Sequence, residues 1–187
     1  MINSEEYWDG LYSQEEQNNQ REKQTEFFIN LVLENLPRWI TEDIQDEHMS
    51  ICDVGCAEGT GTELLAKQFQ NSQVTGIDFS SNAVKVAKIR HPLCKYIVGD
   101  IKNLKGEYDI VFSSNVLEHF WHSKDVLEKM IVKAKKYCIL LVPFREYYTV
   151  PEHATYFDFQ SFPLEIQKKY KLCFYKPMTM QGEAIQY

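Results

Sequence analysis

The sequence predicts an α/β fold, an open and doubly wound sheet with helices on both faces. Three observations carry this. Short apolar runs that read as strands alternate with helical patterns along the chain. The first run ends in a glycine-rich turn that leads directly into a helix, and the second and third runs are each closed by an aspartate. Strand, turn and helix repeated at this spacing imply βαβ units and a mostly parallel sheet covered on both sides.

The elements follow in order. Residues 21–36 place Phe27, Phe28, Leu31, Val32 and Leu36 at helical spacing, and Pro37 stops the helix. Residues 50–55 form the first strand, the loop to Gly61 follows, and a helical pattern runs from Thr60 to Phe69. A second strand over 73–78 precedes a helix over 81–89 with Ser80 or Ser81 as its N-cap. Residues 96–100 and 108–115 read as the third and fourth strands. A helix is predicted over 123–136, with Val126, Leu127, Met130, Ile131 and Ala134 facing inward, and a fifth strand over 137–144. Two further strands are expected at 171–178 and 182–187, the last one short or cut by the chain end.

With 187 residues, 44% hydrophobic and 25% charged, the chain fits one domain of ~100–200 residues, and no repeat or linker divides it. Residues 1–49 read as an acidic N-terminal cap and lead-in helix, and 50–187 as the core. Residues 1–50 carry 12 Asp/Glu against 3 Lys/Arg, while 51–187 carry 15 against 17, so the net charge of −7 belongs to the N-terminal quarter. No apolar run approaches the ~20 residues of a membrane-spanning helix. The first nine residues lack a basic stretch followed by an apolar one, so a cytoplasmic protein is expected. The five cysteines are expected to be buried free thiols in a reducing compartment. Cys52 and Cys56 have no second Cys/His pair at zinc spacing, and no metal site is predicted.

Ligands of such sheets bind beyond the carboxyl ends of the strands. The first of these ends is Asp53-Val-Gly55-Cys56-Ala57-Glu-Gly59-Thr-Gly61. Glycines there admit positive φ and close backbone approach, beside the free N–H groups of a helix N-terminus. The spacing fits neither the dinucleotide pattern nor the Walker phosphate loop. Asp78 at the second strand end can accept both hydroxyls of a ribose, Phe79 can cover an adenine face, and Asp100 can accept the exocyclic amine. Together they point to an adenosine without phosphates.

Taken as an ordered set, these segments, with Tyr108-Asp-Ile-Val-Phe-Ser-Ser-Asn115-Val-Leu-Glu118-His119 and Pro151-Glu-His153, resemble the class I S-adenosylmethionine (SAM)-dependent methyltransferases. The small-molecule branch, similar to the ubiquinone/menaquinone-biosynthesis enzymes, is the nearest in pattern. The resemblance implies a Rossmann-like, seven-stranded sheet with an N-terminal helical cap, SAM as cofactor and S-adenosylhomocysteine (SAH) as product. It implies that the loop containing Asp53, Gly55, Cys56, Ala57, Gly59 and Gly61 wraps the methionine moiety, that Asp78 binds the ribose, and that Asp100 and Ile101 hold the adenine. Asn115 would lie near the methionine end. Ala57 departs from the family, which most often has a glycine there. The Tyr7-Trp8-Asp9-Gly-Leu-Tyr12 cluster resembles a segment that folds over the cofactor; Tyr7 or Tyr12 could face the sulfonium by a cation–π contact, or the cluster could simply cap the core.

For a hydroxyl acceptor a proton must be removed, and Glu118, His119 and His153 are the candidate groups. His122, Arg145 and Glu146 lie in the same stretches. Each histidine has an ordinary alternative role in bracing its loop. Tyr147, Tyr148, Tyr156, Phe157 and Phe159 are expected either to wall the acceptor pocket or to pack under a long loop. The function expected is methyl transfer from SAM to a small-molecule or biosynthetic-precursor acceptor, with O-methylation preferred. The alternatives are a cofactor-binding pseudoenzyme acting as a partner subunit, and a nucleic-acid methyltransferase. The last is disfavoured because Ser114-Asn115-Val116-Leu117 replaces the Asn/Asp-Pro-Pro-aromatic motif and no basic, aromatic-rich run is present.

Overall fold

A computed structural model of the chain describes residues 1–13, 18–146 and 150–178. Five parallel strands form the sheet: β1 (Ser50–Val54), β2 (Gln73–Asp78), β3 (Lys95–Val98), β4 (Tyr108–Ser114) and β5 (Ala134–Leu141), in the order β3-β2-β1-β4-β5. β1 pairs with β2 on one side and β4 on the other, so the strand order reverses beside it and a crevice opens beyond its carboxyl end.

Successive side chains in β1 and β4 go to opposite faces. Ile51, Ile110 and Phe112 pack with Ile29, Val32, Ile40, Ile44 and Leu65 on one face. Cys52, Val54 and Val111 pack with Val126, Leu127 and Met130 on the other. Both faces being buried is why the strands read as continuous apolar runs without alternation. The first face is covered by α2 (Asn18–Asn35), α3 (Arg38–Asp46) and α4 (Thr60–Gln68), and the second by α6 (Ser123–Ile131). α5 (Ser81–Arg90) packs along β2 and β3, and a short N-terminal helix, α1 (Glu5–Tyr12), lies against α5.

Several boundaries differ from the sequence reading. Pro37 ends α2 but also caps α3, which the sequence pattern did not distinguish from a loop. α6 stops at Ile131, and Ala134 pairs with Tyr108 as the start of β5, so strand pairing overrides the local helical pattern. Among the described residues the sheet has five strands where seven were expected. β6 (Glu165–Ile166) and β7 (Tyr170–Lys171) pair antiparallel with each other as a separate hairpin. Gln167 and Lys168 both have positive φ, 53° and 55°, which turns the chain back on itself within four residues and makes the pairing local. The strand expected at 171–178 is thereby reduced to the end of β7, and the one at 182–187 lies outside the described residues. Cys52 and Cys56 are buried as expected, Cys94 and Cys138 half-buried, but Cys173 is exposed because its segment does not join the sheet. No helix of the described residues is long and apolar enough to cross a membrane.

Candidate functional site

The loop after β1 is shaped by the strands beside it. Gly55 has φ 75°, and a Cβ there would come within 2.4 Å of Val116 Cγ2, so both its backbone and its neighbour demand glycine. The N–H groups of Gly55 and Cys56 donate to the Ile77 carbonyl at 2.8 and 3.1 Å. Ala57, at φ 46°, donates its N–H to Asp78 Oδ2 at 2.9 Å. Gly59, at φ 90°, begins α4, and its carbonyl accepts from the Tyr96 hydroxyl at 3.2 Å. Behind the loop, buried Asp53 accepts the Thr62 hydroxyl at 2.6 Å, and burial pushes its carboxyl up to about 6.

Asp78 ends β2 with each carboxylate oxygen taking one backbone N–H, Oδ2 from Ala57 and Oδ1 from Ser80 at 2.9 Å. Burial raises its pKa against those two hydrogen bonds. Asp100 caps a 3-10 turn at Ile101–Asn103, with Oδ1 accepting the Lys102 N–H at 2.8 Å. A cavity of about 380 Å3 opens in front of these strand ends, lined by Tyr12, Gly55, Asp78, Phe79, Asp100 and Asn115 of the predicted cofactor residues. Trp8, Lys102, Val116, His119 and Phe120 complete that lining together with residues 3–5 at the start of α1. Asp53, Cys56, Ala57, Gly59 and Gly61 stand behind the loop and shape it without lining the cavity. The Ile101 side chain lies in the core.

α1 bridges the two sides of the cavity. Asp9 Oδ1 accepts the Ser80 hydroxyl at 2.5 Å and the Asn82 N–H at 3.1 Å, so a carboxylate from α1 caps the N-terminus of α5. The Ser80 hydroxyl, and after it the Asn82 N–H, hold the Asp9 carboxyl below its ordinary range. On the other side Asn3 Nδ2 donates to the carbonyls of His119 (3.0 Å) and Glu152 (2.8 Å), and the Tyr7 hydroxyl donates to Glu152 Oε1 at 2.5 Å. That bond pushes the Tyr7 phenol up to about 12. The Tyr12 phenol is driven far up by burial and by the carboxylates of Asp78 and Glu58. Tyr7 therefore anchors α1 and does not line the cavity, whereas Tyr12 does.

Glu118 and His119 sit in a 3-10 turn, Leu117–His119, directly after β4. The chain returns to this turn after β5: the N–H groups of Ala154 and Thr155 donate to the Glu118 carbonyl at 2.7 and 3.0 Å, and the Thr155 hydroxyl donates to the Phe120 carbonyl at 2.5 Å. His153 is thus brought against His119, with ring centroids 5.3 Å apart. His119 Nδ1 lies 3.0 Å from the Glu152 carbonyl and His153 Nδ1 lies 2.6 Å from Glu146 Oε2. Burial lowers the His119 pKa, opposed by the Glu152 carbonyl. Glu118 is 1% exposed, and neither carboxyl oxygen has a hydrogen-bond partner among the described residues. Burial pushes it up to about 8. The three predicted catalytic residues are brought together, and His119 faces the cavity, with the Trp8 ring 4.9 Å away on an edge.

Other expected groups fall elsewhere. His122 is exposed at the start of α6. Phe157 is buried in the core, stacked on Phe162, while Tyr156 and Phe159 are exposed; the Arg145 N–H to Phe157 carbonyl bond folds this segment away from the cavity. Tyr147 and Tyr148 lie outside the described residues. The aromatic lining is instead Trp8, Tyr12, Phe79 and Phe120. Asn3 and Glu152 were not singled out from the sequence, and Asp9 only as part of an aromatic cluster. Their partners lie 33 to 149 residues away, which no local pattern announces.

Residues 45–160 match the family described as "Methyltransferase domain". Over 122 residues the chain is 27% identical to trans-aconitate 2-methyltransferase from Enterobacter sp. (strain 638), covering 64% of this chain and 47% of that protein. It is 29% identical over 126 residues to the chloroplastic magnesium protoporphyrin IX methyltransferase of Arabidopsis thaliana, covering 64% and 40%. The chain thus spans less than half the length of either relative. Its fold is similar to that of the plantazolicin methyltransferase in complex with SAH, with a TM-score of 0.56, 20% identity and coverage of 76% and 59%.

Proposed function

The chain belongs to the methyltransferase-domain family, and from that premise we propose that it transfers a methyl group from SAM to an oxygen of a small-molecule acceptor. The observation that carries this reading is Asp78. A carboxylate offers about four acceptor positions; two hold the Ala57 and Ser80 N–H groups, and two remain toward the cavity for the adjacent hydroxyls of a ribose. Asp100 has Oδ2 free of hydrogen bonds among the described residues, an acceptor for an adenine amine, and Phe79 supplies a ring for the adenine face. A cavity of about 380 Å3 falls in the range of ~300–1,000 Å3 usual for small-molecule sites, so the residues present fit the cofactor.

Bound there, SAM supplies a methyl group activated on a sulfonium sulfur, which leaves by in-line displacement to give SAH. The chain's own part is to hold and to orient. Gly55 and Asn115 would border the methionine end, and Trp8 and Tyr12, stacked on one another with the Arg21 guanidinium 5.5 Å from the Tyr12 ring centroid, wall the cavity there. The acceptor approaches from the side of His119 and Phe120, where Glu118, His119 and His153 are the groups that can assist removal of its proton. Glu5, Asp78 and Asp100 line the cavity against one cation, Lys102, a balance that favours a small neutral or cationic acceptor over a polyanionic strand.

Calorimetry with SAM and SAH is the direct test, followed by screening metabolite fractions for SAH release. One-to-one binding that Asp78→Ala weakens at least tenfold supports the reading. Absence of binding to either ligand sinks it, and binding without turnover on any fraction assigns the chain to the pseudoenzyme alternative.

A further inference from the structure

We propose that Glu118, His119 and His153 form a site for a divalent transition-metal cation, such as Mn2+ or Zn2+, that holds the acceptor oxygen. The inference rests on the methyltransferase reading for its role but not for its chemistry of binding. Read from the sequence, these three residues are candidates for proton transfer, with loop bracing as the histidines' alternative, and no metal is expected; their arrangement after folding points further.

One ligand atom from each of the three lies within 4.8 Å of the others. Metal bonds of ~2.0–2.2 Å bring such atoms roughly 3–3.5 Å apart, a closure within reach of small side-chain rotations. Glu118 is the strongest sign. It is a carboxylate 1% exposed whose two oxygens meet no donor among the described residues, an arrangement that is unfavourable unless a cation or a proton occupies it. Glu146, against His153, places a second carboxyl group beside the trio.

The two imidazoles are set up as metal ligands usually are. A ligating histidine presents one nitrogen to the ion and gives its other N–H to a carbonyl or carboxylate, which fixes tautomer and orientation. His119 Nδ1 faces the Glu152 carbonyl and His153 Nδ1 faces the Glu146 carboxylate; with the N–H of each ring on Nδ1 the lone pair falls on Nε2, and an ion at His119 would compete with that ring's second backbone contact, to Asn115. Two neutral imidazoles and one carboxylate suit Mn2+, Fe2+ or Zn2+ better than Mg2+ or Ca2+, which prefer oxygen throughout. Three protein ligands leave coordination positions open.

His119 borders the cavity, so the open positions face the acceptor. A hydroxyl bound there becomes more acidic and loses its proton to water. Its oxygen pair then forms the O–CH3 bond while the S–CH3 bond breaks and its electron pair stays on sulfur. Buried Glu118 and the two oriented histidines therefore act jointly through one ion and not as three alternative bases.

The test uses the full chain, freed of metal by chelator and titrated with Mn2+ alone, free Mn2+ being read by electron paramagnetic resonance, and with Zn2+ alone against a chromophoric competitor. One equivalent is expected to bind. His153→Ala and Glu118→Gln should each weaken it ~10–100-fold, whereas His122→Ala and Cys173→Ser, at exposed positions outside the trio, should leave it unchanged. If Glu118→Gln does not fold, His153→Ala decides. No saturable binding, or binding that His153→Ala leaves intact, overturns the proposal. SAM affinity is measured in the same samples: a protein that binds the cation through these residues but never binds SAM refutes the proposed function and leaves the metal site standing, while SAM binding without the cation does the reverse.

Discussion

The two sides of the cavity are built in different ways. On the β1–β2 side, the loop from Gly55 to Gly59 and the carboxylate of Asp78 hold one another through backbone N–H groups, over a span of about two dozen residues. On the β4–β5 side, the turn at Leu117–His119, the segment at 150–155 and the start of α1 come from three distant stretches and are clipped together by carbonyl contacts. On the first side both Asp78 oxygens are paired and Glu58 keeps one partner, Arg21, while its Oε1 meets none among the described residues; the second leaves both oxygens of buried Glu118 without a partner. A binding surface for an invariant cofactor can be rigid and local, whereas a surface for the acceptor is assembled from parts that can vary separately.

The largest expected effect tests the paired side. Asp78→Ala removes a charge-assisted acceptor, worth ~1.5–3 kcal/mol, and strips two N–H groups of their partner; SAH affinity by calorimetry should fall at least tenfold. An unchanged affinity would mean that the rigid side does not hold the nucleoside.

Asp9→Ala should come next. Loss of this cap on α5 is worth ~1 kcal/mol, a drop in melting temperature of about 2–4 °C for a chain of this size. Because the carboxyl is held below its ordinary range, its contribution is present at neutral pH and is lost as the pH falls through its lowered pKa, so the wild-type and variant melting curves should converge only below the ordinary carboxylate range. Asn3→Ala reports on the other side. It removes two hydrogen bonds to the His119 and Glu152 carbonyls, and it should raise the KM for the acceptor several-fold while leaving SAM affinity within about twofold. If Asn3→Ala weakens SAM binding as much as Asp78→Ala weakens SAH binding, the division between the two sides fails.

The smallest effect belongs to Ala57. A left-handed backbone at a non-glycine residue costs about 1–2 kcal/mol, part of which glycine would give back through greater freedom of the unfolded chain. Ala57→Gly should therefore raise the melting temperature by only ~1–3 °C, measured by calorimetric scanning.

The same division governs how much could be read in the sequence. The positions of Asp78, Phe79, Asp100 and the glycine loop at the strand ends were legible because each follows its own strand directly and its backbone contacts are local. The five parallel strands were legible for the same reason, their order of apolar runs and turns being local. Glu118, His119 and His153 were visible as residue types, but not their union, which depends on Ala154 and Thr155 folding back onto the Glu118 carbonyl. Asn3 gave no signal and Glu152 entered only as the middle of Pro151-Glu-His153, since a polar residue in a polar stretch has no pattern until its partner arrives. The ends of α6 and the fate of the last strands were misjudged where pairing outweighed local preference, at Ala134 against Tyr108 and at the Gln167-Lys168 turn.

The close approach of Gly55 to Val116 also bears on the order in which the molecule forms. β1 pairs with β2, which follows within about two dozen residues, but Cys52 meets Val111 only after a loop of nearly sixty residues has closed. Closure of long loops is slow because its entropy is lost before the contacts that reward it are made. The wall that Val116 presents to the glycine loop is therefore absent from any early β1–β2 intermediate, and ligand affinity arises with the late docking of β4. A ligand of this cavity would slow unfolding of the finished protein more than it would hasten folding.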